Sequence, residues 1–254
     1  MRHSPSLRVL LSTLPAMALA AALPLRAATQ RRLQVVTYDI VPYGMLDEQG
    51  QLGGEFVDIT NRLAVQTGIA FDNRLLPYPR AVATIEHGQS DLVVGLVTAT
   101  LQRIAHQVAP VAYSDIVVIG RIGARFDSLL ELHGKTVGYM RGASFDDDFQ
   151  RDELIRKYET SSMPQTIQML LAGRLDAIIG TGIAVSYALK QMGLSDDALG
   201  APLLIKRSLH WLHYSRKRYD NVTATLLKNG VERLRAQGFL DEVALRYAPL
   251  PERR

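Results

Sequence analysis

Cysteine is missing altogether from this chain. That absence excludes disulfide staples, a thiolate nucleophile, cysteine-ligated zinc and a lipid-modified N-terminal cysteine. Stability must come from a packed core, and 254 residues with 47 % apolar side chains can supply one. A usable charge excess is also lacking. The formal net charge is +4, but Arg2, Arg8 and Arg26 lie in the first 27 residues with no acid beside them, so the rest is nearly neutral. No basic stripe with interleaved aromatics is visible, which removes nucleic acid from the expected partners. The six histidines form no zinc pattern: His210 and His213 flank Trp211 at a spacing that reads as packing. Asp146, Asp147 and Asp148 lack the rest of a calcium loop and read as a helix N-terminus. There is no P-loop, no Gly-x-Gly-x-x-Gly after a strand and no nucleophile elbow. Neither a metal nor a cofactor is expected.

What is present begins with an export signal. Arg2 and Arg8 precede the apolar run VLLSTLPAMALAAAL, and small residues follow, with cleavage expected after Ala22 or near Ala27. Pro5, Pro15, Ser12 and Thr13 make the run a poor permanent membrane span. Residues 1–27 are therefore read as a cleaved signal peptide. With no lipid-bearing cysteine, the mature chain is expected free in the periplasm.

One phrase is written twice. GQSDLVVGLV begins at Gly88 and GRLDAIIGTG at Gly173, each Gly-x-x-Asp, three apolar residues and Gly. Each copy ends a helix at glycine, turns at aspartate and enters a near-continuous apolar strand of the kind buried on both faces of a sheet. Strand candidates at LQVVTYD, IAFDNRLLP and KTVGYM alternate with helix candidates at VDITNRLAVQTG, YPRAVATIEHG, SFDDDFQRDELIRKY, PQTIQMLLAGRL and AVSYALKQMG, which implies βαβ units and mostly parallel sheets. IVPYGMLDEQGQLGG is a loop or hairpin. Two copies of the phrase suggest two α/β lobes, each with its own sheet; a solenoid would need more copies at a shorter period. At the C-terminal end, Val222, Leu226, Leu227 and Val231 are placed on one helical face, with Gly230 and Gly238 expected to divide the segment into shorter helices.

The ordered set GGEFVDITNRLA, LLPYPRAVATIEHGQSDLVVGLVTATLQR, LHGKTVGYMRGASF and LLAGRLDAIIGTGIAVSYALK resembles the bacterial extracellular solute-binding proteins of family 3 over roughly residues 33–249. The resemblance implies a two-lobe, type II periplasmic-binding-protein-like α/β fold, each lobe a mostly parallel sheet flanked by helices, with the ligand cleft between the lobes. Lobe 1 is expected at 28–117 and 209–254 and lobe 2 at 118–208, with YSDIVVIGR and SLHWLHYSR crossing between them. It also implies the site. TATLQR matches a segment whose arginine, here Arg103, holds a ligand carboxylate, with Thr98 beside it. GYMRGAS matches a turn whose backbone amides and Ser144 face the ligand, and Arg141 is a further candidate. Tyr78 stands where an aromatic stacks on the ligand, and Arg80 follows it. Tyr38, Asp39 and Tyr43 occupy the loop that lines lobe 1. Where amino-acid receptors of the family place an ammonium-binding aspartate after the second copy's strand, this chain has Thr181. A threonine cannot supply the countercharge that a buried ammonium needs, so either Asp39 or another acid takes over, or the ligand lacks an ammonium there.

Three functions remain in view. The first is capture of a small polar, carboxylate-bearing ligand, an amino acid or related organic acid, for an ABC permease, by a monomer without catalysis. The second is an exported enzyme of the same fold, such as a cyclohexadienyl dehydratase, with Asp39 or Glu55 as general acid. The third is a ligand sensor docked on a signalling membrane protein.

Overall fold

The computed structural model describes residues 32–248; the signal peptide read over residues 1–27 lies outside them. In chain order the elements begin with β1 (Leu33–Tyr38), a hairpin of β2 (Met45–Leu46) and β3 (Leu52–Gly53), α1 (Glu55–Thr67), β4 (Phe71–Leu76), α2 (Tyr78–Glu86) and β5 (Leu92–Leu96). They continue through α3 (Ala99–Ile104), β6 (Ala105–Gly120), β7 (Thr136–Met140), α4 (Asp147–Arg151), β8 (Arg156–Thr160) and α5 (Met163–Leu171). Last come β9 (Ala177–Thr181), α6 (Gly182–Gln191), β10 (Leu203–Ser215), α7 (Asn221–Ala236) and α8 (Phe239–Tyr247).

The sheet order is β4-β1-β5-β10-β6-β9-β7-β8. This corrects the expectation of two separate sheets. The long strands β6 and β10 pair antiparallel from Leu203↔Val118 to Ser215↔Ala105. One end of β10 joins β5 in the first lobe, and one end of β6 joins β9 in the second. Two parallel βαβ halves are thus hydrogen-bonded into one ladder through the crossing pair. Register shifts between Leu204 and Lys206, between His210 and Trp211 and between Leu212 and His213 interrupt that pair, and such irregularities bend and twist a ribbon. The first lobe has one apolar core containing Val35, Phe56, Leu63, Leu92 and Leu227. The second has two, one on each face of its sheet, around Ile167 and Ile178 and around Val137 and Phe149.

The repeated phrase now has a physical account. Gly88 and Gly173 adopt φ of 70° and 72°, the left-handed turn that glycine enters without a Cβ penalty. Asp91 accepts from Gln34 N at 2.7 Å, and Asp91 N donates back to Gln34 O. Asp176 does the same with Thr136, accepting from its N–H at 2.8 Å and donating to its carbonyl. Each aspartate therefore locks the start of its strand to the start of the neighbouring parallel strand. The closing glycines leave room: a Cβ on Gly95 would lie 2.7 Å from the Tyr38 hydroxyl, and one on Gly180 would lie 2.7 Å from Met163 Cε.

Three local expectations are overturned. SFDDDFQRDELIRKY is not one helix: α4 is a single short stretch, and Arg156–Thr160 is the edge strand β8, parallel to β7. Its charged, mostly exposed residues hide a strand because only one neighbour pairs with it. Gly230 does not break the C-terminal helix; α7 runs through it. A Cβ there would stand 2.7 Å from both Leu63 Cδ1 and Thr67 Cγ2, so the glycine lets α7 approach α1 closely. The buried face of α7 is Ala224, Leu227, Val231 and Leu234, whereas Val222 and Leu226 are exposed. Gly238, at φ 74°, does separate α7 from α8.

Candidate functional site

The cleft residues sit where strands end and loops turn, as expected for α/β sheets. Tyr38 closes β1. Tyr43 follows the cis Val41–Pro42 peptide. Tyr78 opens α2, Thr98 caps α3 and Thr181 caps α6. Ser144 lies in the loop between β7 and α4.

These residues meet around two adjoining cavities that share Ile40, Tyr78, Met140, Met163 and Ala184. The inner one, about 50 Å³, is walled by the rings of Tyr38, Tyr43, Phe56, Tyr78, Phe145 and His210, with Thr98, Ser144 and Thr181 among them. The outer one, about 370 Å³, is lined by Asp39, Arg141, Ser161, Ser162 and Gln191 and by the prolines around Tyr78. Tyr38 and Tyr78 pack at 4.7 Å between ring centroids, and Tyr43 stacks on Phe56 at 4.5 Å. The wall is therefore built mostly of aromatic and apolar surface, with polar groups at few points.

A buried hydrogen-bonded set holds the inner wall to the crossing strands. The Tyr43 hydroxyl and Ser114 Oγ are 2.8 Å apart, and Ser114 Oγ lies 2.9 Å from His210 Nε2. Thr181 from the second lobe lines the same wall. Burial raises the Tyr43 phenol well above its usual value, so it remains a neutral hydroxyl. Burial, with a smaller effect from nearby His213, lowers His210 to about 3; burial also lowers His213 to about 4. Both imidazoles are neutral across the physiological range. Two buried polar atoms on the inner wall have no protein partner among the described residues: the Tyr38 hydroxyl and His210 Nδ1. A buried polar group left in that state costs about 1–3 kcal/mol.

Eight of the ten expected site residues line this cleft: Tyr38, Tyr43, Tyr78, Thr98, Ser144 and Thr181 inside, and Asp39 and Arg141 outside. Burial raises the Tyr78 phenol to about 12. Arg141 stands 3.4 Å from Glu159 at the second lobe's edge. Arg80 and Arg103 line neither cavity. Arg80 is exposed on the first turn of α2. Arg103 Nη1 turns to Glu86 Oε1 at 2.8 Å, at the far end of α2 from Tyr78, where the pair is exposed. In this arrangement Arg103 is paired with a neighbouring helix and does not reach either cavity. Of the two acids considered for catalysis, Asp39 borders the outer cavity, whereas Glu55 faces a separate chamber behind the crossing strands.

Sequence reasoning missed His210, Phe56, Phe145, Met140 and Met163. The spacing of His210 and His213 reads as packing, and both are buried, but it does not show that His210 also reaches the cleft. Alternation along β10 gives no signal for it, since Leu212, His213, Tyr214 and Ser215 are all buried in succession.

Comparison with known proteins bears on the fold. A probable histidine-binding protein of Neisseria gonorrhoeae is 23% identical over 221 residues, covering 82% of this chain and 80% of that protein. Among solved structures, a histidine kinase sensor domain similar to periplasmic binding proteins aligns with a TM-score of 0.76 at 18% identity, over 86% of this chain and 96% of that one. An ancestral arginine-binding protein bound to arginine aligns at 0.74 with 17% identity, over 87% and 100%. At such identities these structures show the shared two-lobe fold. The family model of the bacterial extracellular solute-binding proteins, family 3, matches residues 33–249, and the chain belongs to that family.

Proposed function

We propose that the mature protein is a periplasmic receptor that captures a small carboxylate-bearing solute, an amino acid or related organic acid with an apolar or aromatic body. The single observation that carries this reading is the inner cavity: aromatic walls contributed by both lobes, with the Tyr38 hydroxyl and His210 Nδ1 buried and unpartnered. The apolar body enters between Tyr38, Tyr78 and Met163, and one polar atom of it meets the two orphaned groups. The charged end remains in the outer cavity. There Asp39 receives an ammonium and Arg141, with Ser161 and Ser162 near the start of α5, receives the carboxylate. This arrangement supplies at Asp39 the countercharge that Thr181 cannot.

Closure of the lobes over the ligand is a population shift driven by contacts made to both halves at once. The partner that reads the closed form is an ABC permease or a signalling membrane protein. Similarity to transporter receptors and to a kinase sensor domain supports either. A thermal-shift screen of the mature chain with aliphatic, aromatic and basic amino acids and their keto-acid analogues tests the reading, since a ligand at a hundredfold excess over its Kd adds about 2.7 kcal/mol of stability. A stabilising ligand from this set is expected. Stabilisation only by uncharged sugars, or turnover of a ligand that binds, would replace the proposal.

A further inference from the structure

A chamber of about 410 Å³ lies behind the crossing strands and shares no lining residue with the cleft cavities. It falls within the range of roughly 300–1,000 Å³ typical of small-molecule sites. Its walls come from β6, the first turns of α6, the Leu199–Pro202 segment, Ala244 of α8 and Glu55 at the start of α1. Most of that wall is aliphatic, including Val117, Ile119, Val185 and Leu189.

The acids are the unusual feature. Glu55, Asp115 and Asp196 border the chamber, and no lysine, arginine or histidine is among its lining residues. Asp115 is already satisfied by a two-pronged contact from Arg207 at 2.7 and 3.1 Å. Glu55 is different: it is 3% exposed, and among the described residues no hydrogen bond or ion pair reaches its carboxyl. An isolated buried carboxylate is costly and is ordinarily paired. The three acids do not converge as a metal site would, and no such cluster exists among the described residues. An aliphatic chamber bordered by one unpaired carboxyl, with a second carboxylate exposed at Asp196, fits a cation that carries its own hydrocarbon.

We propose that this chamber is a second ligand site, distinct from the cleft, that binds a small aliphatic primary amine with its ammonium on Glu55. The site also touches the cleft machinery. Ser114 lines the chamber while its Oγ bonds Tyr43 and His210, and α6 turns Ala184 toward the cleft and Ser186 toward the chamber. Burial raises the Glu55 carboxyl from 4.5 to about 7. The other ionisable groups around it are Tyr43 and Tyr187, both raised and neutral, Tyr113, Asp196, the Asp115–Arg207 pair and, from α8, Tyr247 with the Arg246–Asp58 pair. With the Glu55 carboxyl raised into the neutral range by burial, amine binding follows its ionisation.

The test is calorimetric titration of the mature full-length chain with n-butylamine. Saturable binding of one equivalent is expected at pH 8, weakened about tenfold at pH 6 as Glu55 takes up its proton. Glu55→Gln, which keeps the shape and removes the charge, and Ser186→Phe, which fills the chamber from α6, are each expected to weaken binding at least tenfold. Tyr78→Ala, in the cleft, is expected to leave it unchanged. The proposal is overturned if wild-type protein shows no saturable binding, if both chamber variants bind as wild type does, or if Tyr78→Ala abolishes binding, which would place the amine in the cleft.

Discussion

Replacing Glu55 by glutamine should make this protein more stable, and by an amount that depends on pH. The carboxyl is buried, lacks a partner among the described residues and is raised from 4.5 to about 7 by desolvation alone. A raised carboxyl gives stability that is present below the unfolded value near 4.5 and is lost as pH climbs through 7, because the folded state must then hold a charge that water would solvate better. Integrated over that window, the ionised form costs the fold roughly 3 kcal/mol at pH 8 and under about 1 kcal/mol at pH 5. Glutamine has no such dependence. The difference between variant and wild type should therefore grow by about 2.5 kcal/mol between pH 5 and pH 8, or several degrees of melting temperature for a chain of this size. His210 and His213 titrate equally in both proteins and cancel in the difference. Urea unfolding followed by far-UV circular dichroism at the two pH values measures it. A pH-independent difference, or a variant less stable at pH 8, would mean that Glu55 has a partner in solution, and the chamber argument would fail with it.

Other consequences are equally open to measurement. Asp91→Ala removes the bonds that Asp91 accepts from Gln34 N and from Arg218, whose Nε lies 3.2 Å away. It should cost about 3 kcal/mol in urea unfolding, against about 1–2 kcal/mol for Asp176→Ala at the half-buried counterpart. Ser114→Ala leaves the Tyr43 hydroxyl and His210 Nε2 short of a buried partner and should destabilise by about 1–3 kcal/mol, while Tyr43→Phe in that background recovers part of the loss in a double-mutant cycle. Gly230→Ala, favourable by helix propensity alone, should instead lower the denaturation midpoint, because overpacking against Leu63 and Thr67 costs about 1–3 kcal/mol and exceeds a propensity gain of about 1 kcal/mol. Wild-type stability should also fall as pH drops from 6.5 towards 4. His210 and His213 are held neutral by burial and must be protonated on unfolding; His213→Gln should flatten that slope.

The fold was legible where local grammar and burial coincide. The twin phrases named two central strands, their turn glycines and their aspartates, because a parallel strand buried on both faces must be apolar and its entry must be closed by a polar cap. β8 was not legible, since an edge strand with one neighbour needs no apolar alternation and its charges imitate a helix surface. Gly230 misled for a related reason: propensity describes an isolated helix, while its role is set by α1, which lies far away in sequence. The candidate site divides similarly. Tyr38, Thr98 and Thr181 terminate strands or cap helices, so their position follows from element boundaries. Arg103 sits one turn further along α3, and its direction depends on whether Glu86 or the cleft receives it, a choice that motif spacing does not encode. His210 reaches the cleft from a strand that crosses between lobes, through a pairing with β6 that only the three-dimensional ladder reveals.

The inner cavity is the proposed place of ligand capture. A crystal structure of the mature protein with a ligand from the thermal-shift screen tests it most directly. The predicted result is density between Tyr38, Tyr78 and Met163, with a ligand atom within hydrogen-bond distance of the Tyr38 hydroxyl or His210 Nδ1 and the charged end at Asp39 and Arg141. Density held at Arg103 or elsewhere outside the cleft, with Tyr38 and His210 still unpartnered, would contradict it.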